Sequence, residues 1–326
     1  GLVTDTGSFR WGTPRMHVFA AELMEYGLNT RQIALDLMDT MGPVDMQLMG
    51  EVLAGRLMAA GFGVKGYDID PAKNAKLKAK GGEAAASPAD VATCDTIALA
   101  VFNTDQVEEV CQKALLPNAK PGTIVLCTST CDPDRIQALG ERLQGTSLRF
   151  LETPVSGTSE QVRVGDGVGL IGGDPKTADD VKAVLDALFP RRFHIGKAGD
   201  GGRAKLAVNL ILGLNRMALA EGLTFAERMG LDAKAFLAVA QGSASQSQVM
   251  GTKGPKMLAR DFAPEGRVKQ TLKDVHMMLD QAEQLGQELP MLRVHCDVLE
   301  SCVRAGEAER DNSIIVEEIR RRHRSK

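Results

Sequence analysis

The sequence predicts a two-part chain: an α/β domain on a doubly wound parallel sheet, then an all-helical domain. Three observations carry this. Between residues 62 and 196, short apolar runs alternate with helical stretches, the rhythm of a sheet wound on both faces. From residue 199 to 322 the pattern is helical throughout, punctuated by Gly230, Gly242, Gly286 and Gly306. The chain has 326 residues, 44% hydrophobic and 25% charged, enough for two or three domains with sizeable cores.

Taken in order, residues 1–60 read as helices. An amphipathic helix over Pro14–Tyr26 is stopped by Gly27, Asn29 or Thr30 caps a second, and Pro43–Ala60 forms a third, ended by Gly61. The α/β rhythm then starts with a strand over Gly63–Asp68 and a helix from Pro71. A strand over Thr96–Phe102 precedes a helix from Asp105, and a strand over Thr123–Cys127 precedes a helix from Asp132. Strands over Leu148–Glu152 and Gly167–Ile171 lead to a helix over Asp174–Phe189. Ligands in such sheets sit at the carboxyl ends of the strands. The helical part comprises Ala204–Met229, Ala233–Gln241, Val268–Leu285, Leu289–Ala305 and Ser313–Arg322, and the first of these is apolar almost all round, which predicts burial.

Composition narrows the function. A net charge of −3 gives no field that favours nucleic acid or an anionic membrane. No uninterrupted apolar run reaches the ~18–20 residues a bilayer needs, and the N-terminal residues do not read as a signal peptide. A cytoplasmic location is expected. Six cysteines are scattered without a Cys-x-x-Cys pair, and five histidines are dispersed. Reduced thiols and no metal site are the expectation. The Arg-rich tail from Arg320 reads as a solvated helix end.

The chemistry is suggested by four segments. Lys205 and Asn209 stand one turn apart on one face of the long apolar helix. A lysine buried there has its pKa lowered and can exchange a proton with a substrate hydroxyl; the alternative is a lysine snorkelling to water. Cys127-Thr-Ser129-Thr130 follows a strand, where hydroxyls and backbone N–H groups can hold a carboxylate. Thr153-Pro154-Val-Ser156-Gly157-Thr158 follows the next strand, with a glycine that lets backbone approach a ligand. Leu272-Lys273-Asp274 lies in a later helix.

In this order and spacing, the segments resemble the β-hydroxyacid dehydrogenase family, which includes 3-hydroxyisobutyrate dehydrogenases, tartronate semialdehyde reductases and threonate-type dehydrogenases. The likeness spans about residues 50–322. It includes Leu48-Met49-Gly50, Ala59-Ala60-Gly61, Ala86-Ser-Pro-Ala-Asp90, Ser129-Thr130-x-x-Pro133, Pro154-Val-Ser-Gly157, Gly172-Gly-Asp174 and Lys205-x-x-x-Asn209. The resemblance implies a Rossmann-like nicotinamide-binding domain over 49–198 and a helical substrate and dimerisation domain over 199–326. It implies Lys205 as catalytic acid/base and Ser129, Thr130, Ser156, Gly157, Asn209 and Lys273 as the substrate-binding set. Met49, Gly50, Asp68, Phe102 and Asn103 would contact the cofactor. The implied chemistry is hydride transfer between a nicotinamide and a small 3-hydroxy acid, in a homodimer or homotetramer. Asp68 at a strand end accepts from a ribose 2′-OH and repels a 2′-phosphate, with no arginine beside it, so NAD is expected over NADP.

One segment departs from the family pattern. The family opens with a strand and Gly-x-Gly-x-x-Gly, and the matching positions here read Asp45-Met46-Gln47-Leu48-Met49-Gly50. Only the third glycine is kept, and Pro43 falls where a central strand needs a donor. The first strand is therefore expected to be missing or replaced. Residues 1–48 are a helical extension that resembles the Thr-Asp-Thr-Gly-Ser-Phe segment of DHH-type phosphoesterases, whose aspartate, Asp5 here, is a metal ligand. The Asp-His-His motif of that family is absent. Two other readings follow. One is an impaired chimera keeping only the dimerisation and substrate-binding parts; the other is a metal-dependent phosphodiesterase, for which Asp5 alone supplies too few ligands.

Overall fold

The computed structural model describes residues 44–322, with side chains from Met49. Asp5 and the helices expected before Pro43 lie outside them. The α/β part contains α1 (Val44–Ala59), β1 (Lys65–Gly66), α2 (Pro71–Ala79), β2 (Glu83–Ala84), α3 (Pro88–Val91), β3 (Thr96–Leu99) and α4 (Thr104–Glu109). A π-helical turn over Val110–Leu115 extends α4. Then follow β4 (Thr123–Cys127), α5 (Pro133–Leu143), β5 (Leu148–Glu152), β6 (Val155–Ser156), α6 (Ser159–Arg163), β7 (Val168–Gly173), α7 (Pro175–Asp180), α8 (Lys182–Leu188) and β8 (Arg191–Gly196). The helical part has α9 (Asp200–Arg228), α10 (Ala233–Gln241), α11 (Gln248–Ala259), α12 (Val268–Gln284), α13 (Pro290–Arg304) and α14 (Ile315–Arg321).

The main sheet has the order β3-β4-β5-β7-β6, with β8 on β7. β3, β4 and β5 run parallel, as the sequence predicts, but β7 is antiparallel to β5 and β6. The reason lies in the connection: only β6 and the one-turn α6 separate β5 from β7, and these reverse the chain instead of carrying it back over the sheet. β4 is buried along its whole length, sending Val125 and Cys127 into one face's core and Ile124 and Leu126 into the other's. This two-sided burial is what makes the strand an unbroken apolar run.

β1 and β2 pair only with each other. The strand that would join them to β3 is absent among the described residues. Residues 44–46, where its end was expected, are helical, and residues 41–43 lie outside the described part. β1 is accordingly two residues long, shorter than the Gly63–Asp68 expected, because it lacks a partner on one side.

α9 is the spine of the helical domain, packing on α10 to α14 and on β7 and β8. It is long and apolar enough by length and composition to cross a bilayer, although no uninterrupted apolar run is present. Burial all round was expected and is not found: Ile211 and Phe225 are 60% and 65% exposed. α11 was not expected at all, since Gly251, Gly254 and Pro255 lie within it. Tertiary contacts hold it: Lys253 Nζ lies 2.9 Å from Asp311 Oδ2, and a Cβ at Gly254 would stand 2.8 Å from Leu237.

Candidate active site

α9 starts at the domain boundary and carries Lys205 inward. The lysine is only 8% exposed, so its ammonium does not snorkel to solvent. Among the described residues, its Nζ makes no hydrogen bond or ion pair. Burial pushes its pKa down to about 8, against the pull of the Asp274 carboxylate and with a smaller push from Lys273. Such an amine is neutral and protonated in comparable amounts near pH 8, which suits proton transfer both ways.

One turn on, Asn209 Nδ2 donates to Asp274 Oδ2 at 3.1 Å. Lys273 Nζ donates to the Thr130 carbonyl at 3.2 Å, tying α12 to the loop after β4, and lies 5.6 Å from the centre of the Phe102 ring. The same ammonium is 3.4 Å from Asp274 Oδ1. Lys205, Asn209, Lys273, Thr130 and Phe102 therefore converge where the helical domain meets the carboxyl ends of β3 and β4. Asp274 was missed as a site residue. Its signal was weak, since adjacent positions on a helix point in different directions.

Ser129 is placed differently from expectation. Its Oγ donates to the Val101 carbonyl at 2.6 Å and accepts the Val101 N–H at 2.9 Å, so the hydroxyl is committed to the end of β3. The backbone N–H groups of Thr130 and Cys131 reach no acceptor among the described residues, which leaves the loop a donor surface for a carboxylate, while the Ser129 N–H faces the Cys127 thiol. Ser156 ends β6 beside Val168, and Gly157 takes φ 140°, a conformation that a side chain would strain. Thr158 and Gln161 form a reciprocal capping box at the start of α6.

On the cofactor side, Met49 packs with the core under β4 and a Cβ on Gly50 would lie 3.7 Å from Ala100 Cβ. Phe102 N donates to Gln106 Oε1, and the Asn103 side chain caps α4 by accepting the Gln106 N–H. Asp68 Oδ1 accepts the Asp70 N–H at 2.9 Å. Among the described residues no arginine pairs with Asp68, but Lys73 stands beside it: its Nζ is 3.9 Å from Asp68 Oδ2 and makes no hydrogen bond.

Two family models match almost end to end: the NAD binding domain of 6-phosphogluconate dehydrogenase over residues 40–196, and the NAD-binding domain of NADP-dependent 3-hydroxyisobutyrate dehydrogenase over residues 199–319. The chain belongs to the β-hydroxyacid dehydrogenase family. Its members are NAD(P)-dependent hydroxyacid dehydrogenases, and this chain is an oxidoreductase of that type. It is 29% identical to L-threonate dehydrogenase of Cupriavidus necator, over 84% of this chain and 94% of that one. It is 26% identical to 2-hydroxy-3-oxopropionate reductase of Escherichia coli, over 86% and 96%. A crystal structure of 3-hydroxyisobutyrate dehydrogenase from Salmonella typhimurium superposes with a TM-score of 0.76 at 27% identity, over 83% and 96%. The first model begins at residue 40, inside the segment that resembled a phosphoesterase, and gives that likeness no support.

Fit to a dinucleotide is uneven along its length. Laid along the carboxyl ends of the strands, a dinucleotide would have Asp68 and Lys73 at its ribose end and Phe102 at its nicotinamide end. At the phosphate end α1 runs unbroken from Val44 through Gly50. In an α-helix only the first four N–H groups are free, so those from residue 48 onward are turned to intrahelical carbonyls. Free amides of the kind that hold a diphosphate are therefore lacking over residues 48–50 and confined, within α1, to its first turn.

The structure does bring three ligand types together where none were expected. His276, Cys296 and Glu300 of α12 and α13 have ligand atoms within 4.8 Å of one another. Cys296 Sγ donates to Glu300 Oε1, and Arg304 pairs with the same carboxylate at 3.8 Å. The group is accounted for as a hydrogen-bond and ion-pair network between two helices.

Proposed function

We propose that the chain oxidises a small 3-hydroxy acid, or reduces the matching aldehyde acid, with Lys205 as acid/base and NAD preferred over NADP. The observation that carries this is the buried Lys205 amine, with its pKa near 8, at the meeting point of Asn209, Lys273 and the donor loop after β4. In oxidation the neutral amine accepts the substrate hydroxyl proton as the carbonyl forms; in reduction the ammonium returns it. A bound nicotinamide supplies or accepts the hydride. The free N–H groups of Thr130 and Cys131, with Ser156 and Gly157, orient the substrate carboxylate, while Asn209 holds the hydroxyl-bearing carbon. Lys273 closes the site and neutralises the acid.

Candidate substrates follow from the relatives: L-threonate, 3-hydroxyisobutyrate and 2-hydroxy-3-oxopropionate. NAD is favoured because Asp68 accepts from a 2′-hydroxyl and repels a 2′-phosphate; Lys73 tempers that repulsion. The exposed apolar residues of α9, Ile211, Leu212 and Phe225, fit a homodimer in which two helical domains cover each other. Sedimentation at micromolar concentration tests it.

Steady-state turnover of the three acids with each nucleotide, for the native chain and Lys205→Met, tests the activity. Turnover that survives Lys205→Met would overturn the acid/base assignment. A second reading, an impaired enzyme that keeps substrate binding and assembly, is favoured by the helical course of Val44–Gly50. Calorimetry separates the two: no heat with millimolar NAD or NADP selects the impaired form.

A further inference from the structure

Glu152, the last residue of β5, is a carboxylate only 1% exposed. Its Oε2 accepts the N–H of Gly199 at 2.8 Å, 47 positions along the chain. Gly199 is the residue before α9, takes φ 95°, and has no side chain to cap the helix. Helix starts leave four N–H groups without partners, and a carboxylate beside them is favoured by both hydrogen bonding and the helix dipole.

The surrounding glycines are shaped to this carboxylate. A Cβ at Gly202 would stand 2.5 Å from Glu152 Oε1, and one at Gly201 would stand 3.1 Å from Oε2. Across the sheet Gly172, the register partner of Glu152, would place a Cβ 2.9 Å from Oε2. Three backbone positions on two elements thus leave out a side chain at one point, and the space holds the Glu152 head. Oε1 itself completes no hydrogen bond.

We propose that Glu152 is a positioning residue: its carboxylate caps α9 from the sheet and so fixes Lys205, less than two turns further on, against the loop after β4. The inference rests on Lys205 being the acid/base. The groups facing the carboxylate are few. Arg203 of α9 contributes positive charge, the Cys127 thiol of β4 lies on the sheet side, and the rest are peptide groups of Gly172, Gly199, Gly201 and Gly202. Burial lifts the Glu152 pKa to about 7, opposed by the glycine N–H groups and Arg203. Protonation weakens the cap, so the start of α9 loosens below neutral pH.

The test uses the full chain without cofactor, in two variants. Glu152→Gln keeps the shape and removes the charge; Gly202→Ala keeps the charge and pushes the head aside. Amide hydrogen exchange over residues 199–206 is expected to rise about tenfold in both, with exchange in α13 unchanged. The midpoint for reaction of Lys205 with an amine reagent is expected to move from near 8 by half a unit or more. In turnover, Glu152→Gln should lose the acidic limb of the kcat profile near pH 7, with KM changed less than kcat. Native exchange and a native Lys205 midpoint in both variants would overturn the proposal. Turnover retained by Lys205→Met, with exchange altered by Glu152→Gln, would sink the acid/base reading and leave the cap standing.

Discussion

Asn209 Nδ2 donates to Asp274 Oδ2 at 3.1 Å, and this bond joins the lysine-bearing helix α9 to α12. It also fixes a carboxylate where it opposes the desolvation of Lys205. Replacing Asp274 with asparagine keeps the size and removes the charge. The Lys205 pKa should then fall further below 8, and the alkaline rise in the oxidation rate should shift to lower pH by about one unit, since a unit corresponds to ~1.4 kcal/mol of differential interaction. A pH–kcat profile for the oxidation direction checks this, and an unmoved limb refutes it.

Lys205 itself trades stability for chemistry. Its folded-state pKa is depressed from 10.5 to about 8, so the folded chain binds fewer protons than the unfolded chain between those values. Stability therefore rises with pH across that window and is lowest, as far as this group is concerned, below about 8. Lys205→Met should remove turnover and raise stability at pH 7 by on the order of 3 kcal/mol, a gain that fades by pH 10.5. Chemical denaturation of both proteins at pH 7 and pH 10 measures the difference.

Lys273 spans the domain boundary to reach Thr130 and the Phe102 ring. Lys273→Met keeps the stem and loses the charge. KM for the hydroxy acid should rise about tenfold, equivalent to ~1.4 kcal/mol of binding, with kcat changed less, because the interaction serves ground and transition state alike. A kcat that collapses while KM holds would place Lys273 in the chemistry instead.

Much of this site was legible in the sequence, and the limits have physical causes. The Lys205/Asn209 spacing announces itself because helical periodicity fixes a shared face. Ser129 was found, yet its hydroxyl turned to the Val101 peptide, because Val101 faces the β4 side just past the last β3–β4 rung and the Ser129 side chain takes the place of the missing ladder partner. Glu152 was silent: its role depends on Gly199 and Gly202 arriving from 47 and 50 positions away, which no local pattern reports. α11 was hidden by Gly254 and Pro255, residues that argue against a helix until Leu237 and Asp311 are seen to demand it.

The last prediction concerns the phosphate end. α1 runs through Asp45–Gly50, and glycine weakens a helix by ~1 kcal/mol per position relative to alanine while leaving the backbone N–H in place. Asp45→Gly with Gln47→Gly should shorten α1 at its start, free backbone N–H groups and remove one negative charge from beside a diphosphate. Affinity for NAD should rise about tenfold or more by calorimetry, with NADP following in proportion. Adding Asp68→Ala should then raise NADP affinity relative to NAD, because Lys73 is left without an opposing carboxylate 3.9 Å away. If the double glycine variant binds no better than the native chain, the defect lies in the missing strand: a turn of free amides holds a diphosphate only when a strand beneath it fixes its direction.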